Sequence, residues 1–154
     1  MYMELDQEKI KKRFAEVDEA LAEVKRLVTF RDSDFWSKKE NIAAVKYYLL
    51  QAIEAIGSIC VHVAAKRYNK GVSVFGECFE ILLKEDALDE NLAARLRRMT
   101  KFRNKLIHRY WEIDDKQVLD YARNNLDDFS EFMKVIGGIT QEPAPLPIDE
   151  PPQA

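Results

Sequence analysis

The amino-acid sequence predicts an all-α protein, an up-down bundle of four to five helices in which the long helices run antiparallel and one short helix is added. Three observations predict it. All five prolines fall after residue 142, and only five glycines punctuate the whole chain. A long proline-free stretch with few glycines favours helices over a turn-rich sheet. Through that stretch apolar residues recur at alternating spacings of three and four, the period of a helix buried along one side. At 154 residues, 47% apolar and 33% charged, the chain is one domain's worth of protein with room for a sizeable single core.

Ile10, Phe14, Val17, Leu21, Val24 and Val28 form the first stripe, a helix of about two dozen residues. "TFRDSDFWSKKE" interrupts it. Ile42, Val45, Leu49, Ile53, Ile56, Cys60 and Val63 form a second, longer stripe, from about Ser37 to Tyr68. "RYNKGVSVFGE" is a connector with Gly71 and Gly76 as punctuation, and a short helix is expected over Phe75 to Lys84. Asp89 is placed to cap the next helix, whose core stripe is Leu92, Leu96, Met99, Phe102 and Leu106. Asp114 is placed to cap one last helix, with Val118, Ala122, Leu126, Phe129, Met133 and Ile136 inward and Gly137 and Gly138 as its stop signal. The domain is therefore expected over 1–138, followed by a proline-rich, acidic, disordered tail over 139–154.

Several function classes are disfavoured. A net charge of −3 and a pI near 5.5 do not suit a general basic nucleic-acid coat, although a local patch remains open. Cys60 and Cys78 make no disulfide framework, and two histidines give no zinc spacing; both thiols are expected to be inert and buried. The charged N-terminus lacks the apolar run of a signal peptide. The apolar stretch of the second helix is broken by Lys46, Gln51, Glu54 and His62, so it reads as a core helix and not a membrane span. A cytoplasmic location without membrane contact follows, and His62 is expected to be a buried, hydrogen-bonded core residue. Trp36 and Trp111 are expected to be packing or interface anchors.

The informative stretch is "KFRNKLIHRYWEID", residues 101–114. Seven basic residues lie between Arg95 and Arg109, and no acid lies between Asn91 and Trp111. A solvated face explains the charges nearest the helix C-terminus, but so strict an exclusion of acids suits a phosphate-binding patch better. Arg98, Lys101, Asn104, Lys105 and Arg109 are the candidate RNA- and phosphate-binding residues. Arg103 follows the core residue Phe102, which puts it at the edge of the buried stripe. If the helix continues, Tyr110 shares a face with Arg103 and His108 is well round from both. If it ends near His108 and the chain extends, His108 and Tyr110 point the same way.

Histidine titrates near neutral pH and can take the proton of a ribose 2′-hydroxyl, whose oxygen then attacks the adjacent phosphate. An arginine fork can hold that phosphate and offset its developing charge. Arg103 and His108 are the candidate catalytic pair, with no metal and no cofactor required, and a 2′,3′-cyclic phosphate and a 5′-hydroxyl as products. One copy makes a sparse site, and a two-fold dimer would present two copies across a shared cleft.

"FRNKLIHRYWEID" resembles the signature of the HEPN superfamily in its HepT-like form, Arg-x4-His-x-Tyr, matched by Arg103, His108 and Tyr110, with Asn104 as the usual polar second residue. The order of elements is similar from about Ile10 to Ile136. The resemblance implies the toxin of a type VII-like HEPN/MNT toxin–antitoxin system, a metal-independent endoribonuclease acting as a homodimer. It also implies a cognate MNT-type nucleotidyltransferase antitoxin that adds AMP to Tyr110. The competing expectation is a non-catalytic helical module that binds and assists a partner nucleotidyltransferase. A structural helical dimer with a fortuitous motif is the third.

Overall fold

The computed structural model describes residues 4–141, and these contain seven α-helices, one 3₁₀ turn and no strand. The helices are α1 (Gln7–Val28), α2 (Asp32–Trp36), α3 (Lys39–Tyr68), α4 (Glu77–Lys84), α5 (Glu90–His108), α6 (Asp115–Asn124) and α7 (Asp127–Gln141), with the 3₁₀ turn at Tyr110–Glu112. The centre is α3. It packs against every other α-helix, and all seven residues of its expected stripe are buried. By length and composition it is apolar enough to cross a membrane, but 61% of its most apolar window is buried inside the bundle. It is the core helix the sequence predicts.

Local chemistry sets the helix ends. Asp6 accepts the Lys9 N–H at 3.1 Å and starts α1. Asp89 accepts Leu92 N–H at 2.7 Å and starts α5, and Asp114 accepts Lys116 N–H at 3.0 Å and starts α6. Both of the latter caps stand where expected. After α3 the chain turns at Asn69 in the left-handed region (φ 52°), and Lys70 N–H reaches back to the Ala64 carbonyl. Gly76 precedes α4 with φ 97°, and a Cβ there would meet Thr100 Cγ2 at 2.7 Å, so only glycine fits.

Three expectations are corrected. "TFRDSDFWSKKE" is no plain interruption, because it holds α2, whose Phe35 is fully buried. The last helix is two helices. The Asn125–Leu126 break is closed by Asn125 N–H to the Tyr121 carbonyl and opened again by Asp128 N–H to the Asn125 carbonyl. The break folds α7 back so that Asp128, 4% exposed, receives both Arg95 Nη1 at 2.7 Å and the Tyr121 hydroxyl at 3.1 Å. Burial, then the Asp128 charge, pushes the Tyr121 phenol up. Finally, α7 does not stop at Gly137–Gly138 but runs to Gln141. Ile136 and Ile139 are both buried. Burying an isoleucine is worth about 1.5–3 kcal/mol, enough to offset about 1 kcal/mol for each helical glycine. Of the expected tail over 139–154, residues 139–141 are helical and the rest lie outside the described residues.

His62 and the two thiols are buried as expected. His62 accepts the Asp6 N–H on Nε2 at 2.9 Å, so the imidazole is neutral there. Burial first, and the Lys9 charge second, lower its pKa from the ordinary value. A histidine whose folded pKa is depressed binds fewer protons than the unfolded chain once the pH drops below about 6.5. The stabilisation is thus complete above that value and is lost as the pH falls toward the folded pKa. We expect the urea midpoint to drop between pH 7.5 and pH 5.5, and His62→Gln, which keeps an acceptor but cannot titrate, to flatten that drop.

Candidate functional site

Helix α5 ends at His108. Arg109 leaves the helical region (φ −146°, ψ 48°) while its N–H still bonds the Lys105 carbonyl at 2.8 Å. The chain then turns tightly through Tyr110–Glu112 and does not extend, so neither simple sequence geometry holds. No residue of that turn is buried. Tyr110 is 68% exposed and Trp111 69%, their rings edge to face at 5.4 Å. Half-buried Ile113 is the first residue after the turn to pack on the core. His108 is exposed at the helix end.

Arg103 lies deeper than expected. It comes four residues after Met99 and seven after Leu96, so it continues the buried face of α5 instead of marking its edge. Its side chain is 19% exposed. Nε donates to Glu54 Oε1 at 2.7 Å and Nη1 donates to Asn104 Oδ1 at 3.1 Å. The guanidinium also stands over the Phe75 ring, 4.5 Å from its centroid. Phe75 is held there from two sides. The Glu77 carboxylate accepts Ser73 and Val74 N–H, which fixes the connector and lowers the Glu77 pKa. Gly57 on α3 leaves room for the ring, since a Cβ there would stand 2.3 Å from Phe75 Cε2.

Glu54, Gly57 and Phe75 were missed by sequence reasoning. A signal existed for the first. Glu54 is the only acid between Glu40 and Glu77, set in the most apolar helix of the chain. Its carboxylate is 46% exposed, and α5 brings Arg103 to it at 2.7 Å.

Around the helix axis Arg103 and His108 are about 140° apart. Among the described residues Arg103 bonds Glu54 and Asn104, and neither His108 nor Tyr110. One chain therefore does not gather the three motif side chains into one pocket. The other candidates divide as well. Arg109 pairs with Glu112 at 3.6 Å, and Asn104 is engaged by Arg103. Arg98, Lys101 and Lys105 line a groove of about 500 Å³ between α5 and α6. Arg95 also lines this groove but is committed to Asp128 and Glu131, and Arg97 is committed to Glu80 and Glu90.

The family model for HepT-like ribonucleases matches residues 17–136, which includes α5, the turn and most of α7. The chain belongs to the HepT-like ribonuclease family. Among the curated proteins nothing matches it. Among solved structures, a toxin–antitoxin crystallised with AMP-PNP matches at TM-score 0.77 and 20% identity, over 85% of this chain and 99% of that one. A tri-AMPylated HEPN toxin from Shewanella oneidensis, in complex with an MNT antitoxin, matches at TM-score 0.79 and 20% identity, over 86% and 99%. The cytosolic protein YutE of unknown function from Bacillus subtilis matches at TM-score 0.73 and 18% identity, over 90% and 92%. At these identities the likeness establishes the HepT-like fold.

The Gly57–Phe75 contact generates a test. Gly57→Ala gains about 1 kcal/mol of helix propensity but forces a ring to move, and overpacking of this kind costs about 1–3 kcal/mol. We expect a net loss of stability in chemical denaturation. In a Phe75→Leu background the same change should be neutral or stabilising, because the obstructing ring edge is gone.

Proposed function

We propose that this HepT-like chain is the toxin of a HEPN–MNT pair, a metal-independent endoribonuclease silenced by AMP on Tyr110. One observation carries the reading. The end of α5 holds a pinned arginine whose Nη2 has no partner among the described residues, and places His108 and Tyr110 in solvent on the turn that follows. In this reading neutral His108 removes the 2′-hydroxyl proton. The 2′-oxygen attacks phosphorus, the bond to the 5′-oxygen breaks, and that oxygen leaves and takes up a proton. Arg103 Nη2 donates to the phosphate, Asn104 and Arg109 are further candidate contacts, and Lys105, Lys101 and Arg98 hold the strand from the α5–α6 groove, on the other side of the helix from Arg103. A cytoplasmic site of action belongs to the same reading.

The separation of Arg103 from His108 supports a homodimer, since a second copy supplies the groups one chain holds apart. So does the surface around the arginine. Val61 lies seven residues after Glu54 on α3, Val74 precedes Phe75, and Ile107 lies four residues after Arg103. All three are exposed, at 40%, 66% and 40%. Aliphatic side chains set around a polar pair suit a protein contact. The test is purified protein with labelled RNA, read by light scattering and by cleavage. Wild type should be a dimer that cuts RNA with chelator present. His108→Ala should remain a dimer and cut about 10²–10⁴-fold more slowly. Equal rates in both proteins, or loss of wild-type activity with EDTA that a divalent metal restores, would sink the mechanism.

Tyr110 is open enough for a second enzyme to reach. Its phenolic oxygen would attack the α-phosphate of ATP, releasing pyrophosphate and a proton and leaving a tyrosyl phosphodiester. That anion and its adenosine would stand where the RNA backbone approaches. Co-expression with the MNT-type nucleotidyltransferase should add one or more AMP masses to the wild-type chain and abolish cleavage. Tyr110→Phe should stay unmodified and active. Full silencing of an unmodified chain would mean inhibition by binding alone.

The Arg103–Glu54 pair favours a second reading, in which Arg103 braces α5 against α3 and the chain is a non-catalytic module assisting a nucleotidyltransferase. The RNA assay separates the two.

A further inference from the structure

The basic residues of α5 and its C-cap are not equivalent. Arg95, Arg97, Arg103 and Arg109 each have a carboxylate partner. Arg98, Lys101 and Lys105 have no acidic partner among the described residues, and all three line the groove between α5 and α6. The acids of that groove are already committed: Glu112 to Arg109, Asp114 to the backbone of α6, Asp128 to Arg95 and Tyr121. Asp114 keeps its charge, so the lining sets four cations against three carboxylates and what the groove offers a ligand is a small net positive charge.

Its geometry is that of a track. Arg98, Lys101 and Lys105 stand at i, i+3 and i+7 and form one ridge about 10 Å long, which His108 continues at i+10. Beside the cations lies an apolar wall made by Phe102 of α5, Ile113 and Tyr121 of α6, all partly exposed. The Phe102 and Tyr121 rings stand 6.5 Å apart and tilted by 32°. A ridge of cations beside aromatic rings is the arrangement that holds a single nucleic-acid strand, with phosphates on the charges and an unstacked base on the rings. A duplex could use the charges but not the wall.

We propose that the α5–α6 groove binds a single-stranded RNA segment, its phosphates on Arg98, Lys101 and Lys105 and one base against the Phe102–Ile113–Tyr121 wall. That this segment adjoins the cleaved bond rests on the ribonuclease reading; the binding itself does not. The test is fluorescence anisotropy of a labelled 10-nucleotide single-stranded RNA on the full His108→Ala chain. Adding Arg98→Glu and Lys101→Glu should weaken binding at least tenfold and reduce the slope of log K against log salt by about 1.4, two phosphate contacts' worth. Adding Lys12→Glu and Lys25→Glu, the same charge change on exposed α1 positions, should leave it within twofold. An abasic strand and a duplex of the same length should each bind at least fivefold more weakly. Equal loss in the two charge-reversed proteins, equal affinity for the abasic strand, or displacement of RNA by an oligoglutamate peptide at matching concentration would each overturn the groove. If the wild-type chain binds the strand there yet cuts no RNA, the ribonuclease reading falls and the groove stands.

Discussion

Burial of α3 on most of its circumference constrains the rest of the molecule. A 30-residue helix in contact with six others has little surface on which a polar side chain can stand free. Glu54, the one acid in its length beyond the first turn, sits on the side left partly open, with its side chain 46% exposed. Arg103 meets it, and by doing so becomes the residue that joins the core to the site. The position of α5 along α3, the room left by Gly57, the connector that carries Phe75 and the exposed end at His108 are linked through that pair.

The consequence for electrostatics is a division of labour within one helix. Three arginines of α5, and Arg109 at its C-cap, are engaged by carboxylates from α3, α4, α5, α7 and the turn, and they fasten those elements together. The hydrogen bonds that Arg95 donates to Glu131 and Asp128 raise its pKa above the ordinary arginine range. The uncommitted charge is left to Arg98, Lys101 and Lys105. An acidic protein thereby keeps a local cationic strip without becoming a general polyanion binder.

Much of the fold was legible in the sequence because two of its signals are local. The apolar stripes of α1 and α3, the α5 stripe as far as Met99 and the caps at Asp89 and Asp114 depend on residues within a turn or two of each other, and they stand where expected, whereas Phe102 and Leu106 are only partly buried. Where tertiary contacts outvoted local preference the reading failed. Gly137 and Gly138 signal an end, yet Ile139 has a place in the core and the helix continues. The α6–α7 break follows the Arg95–Asp128–Tyr121 contacts, which span 33 residues and leave no period to read. The same limit applied to the site. Arg103, His108 and Tyr110 are close in sequence and could be picked out as a motif. Glu54 and Phe75 are distant in sequence, and only the packed chain brings them to Arg103.

The 3₁₀ turn after α5 carries its two large rings on a scaffold that the core does not need. Tyr110 and Trp111 fill no cavity, and Ile113 secures the chain beyond them. Mass added to the Tyr110 oxygen extends into solvent, so the helices behind it feel no wedge. Such a mounting lets a side chain be enlarged and charged on an already folded protein, at the rate of the modifying chemistry, with no need to wait for unfolding or new synthesis.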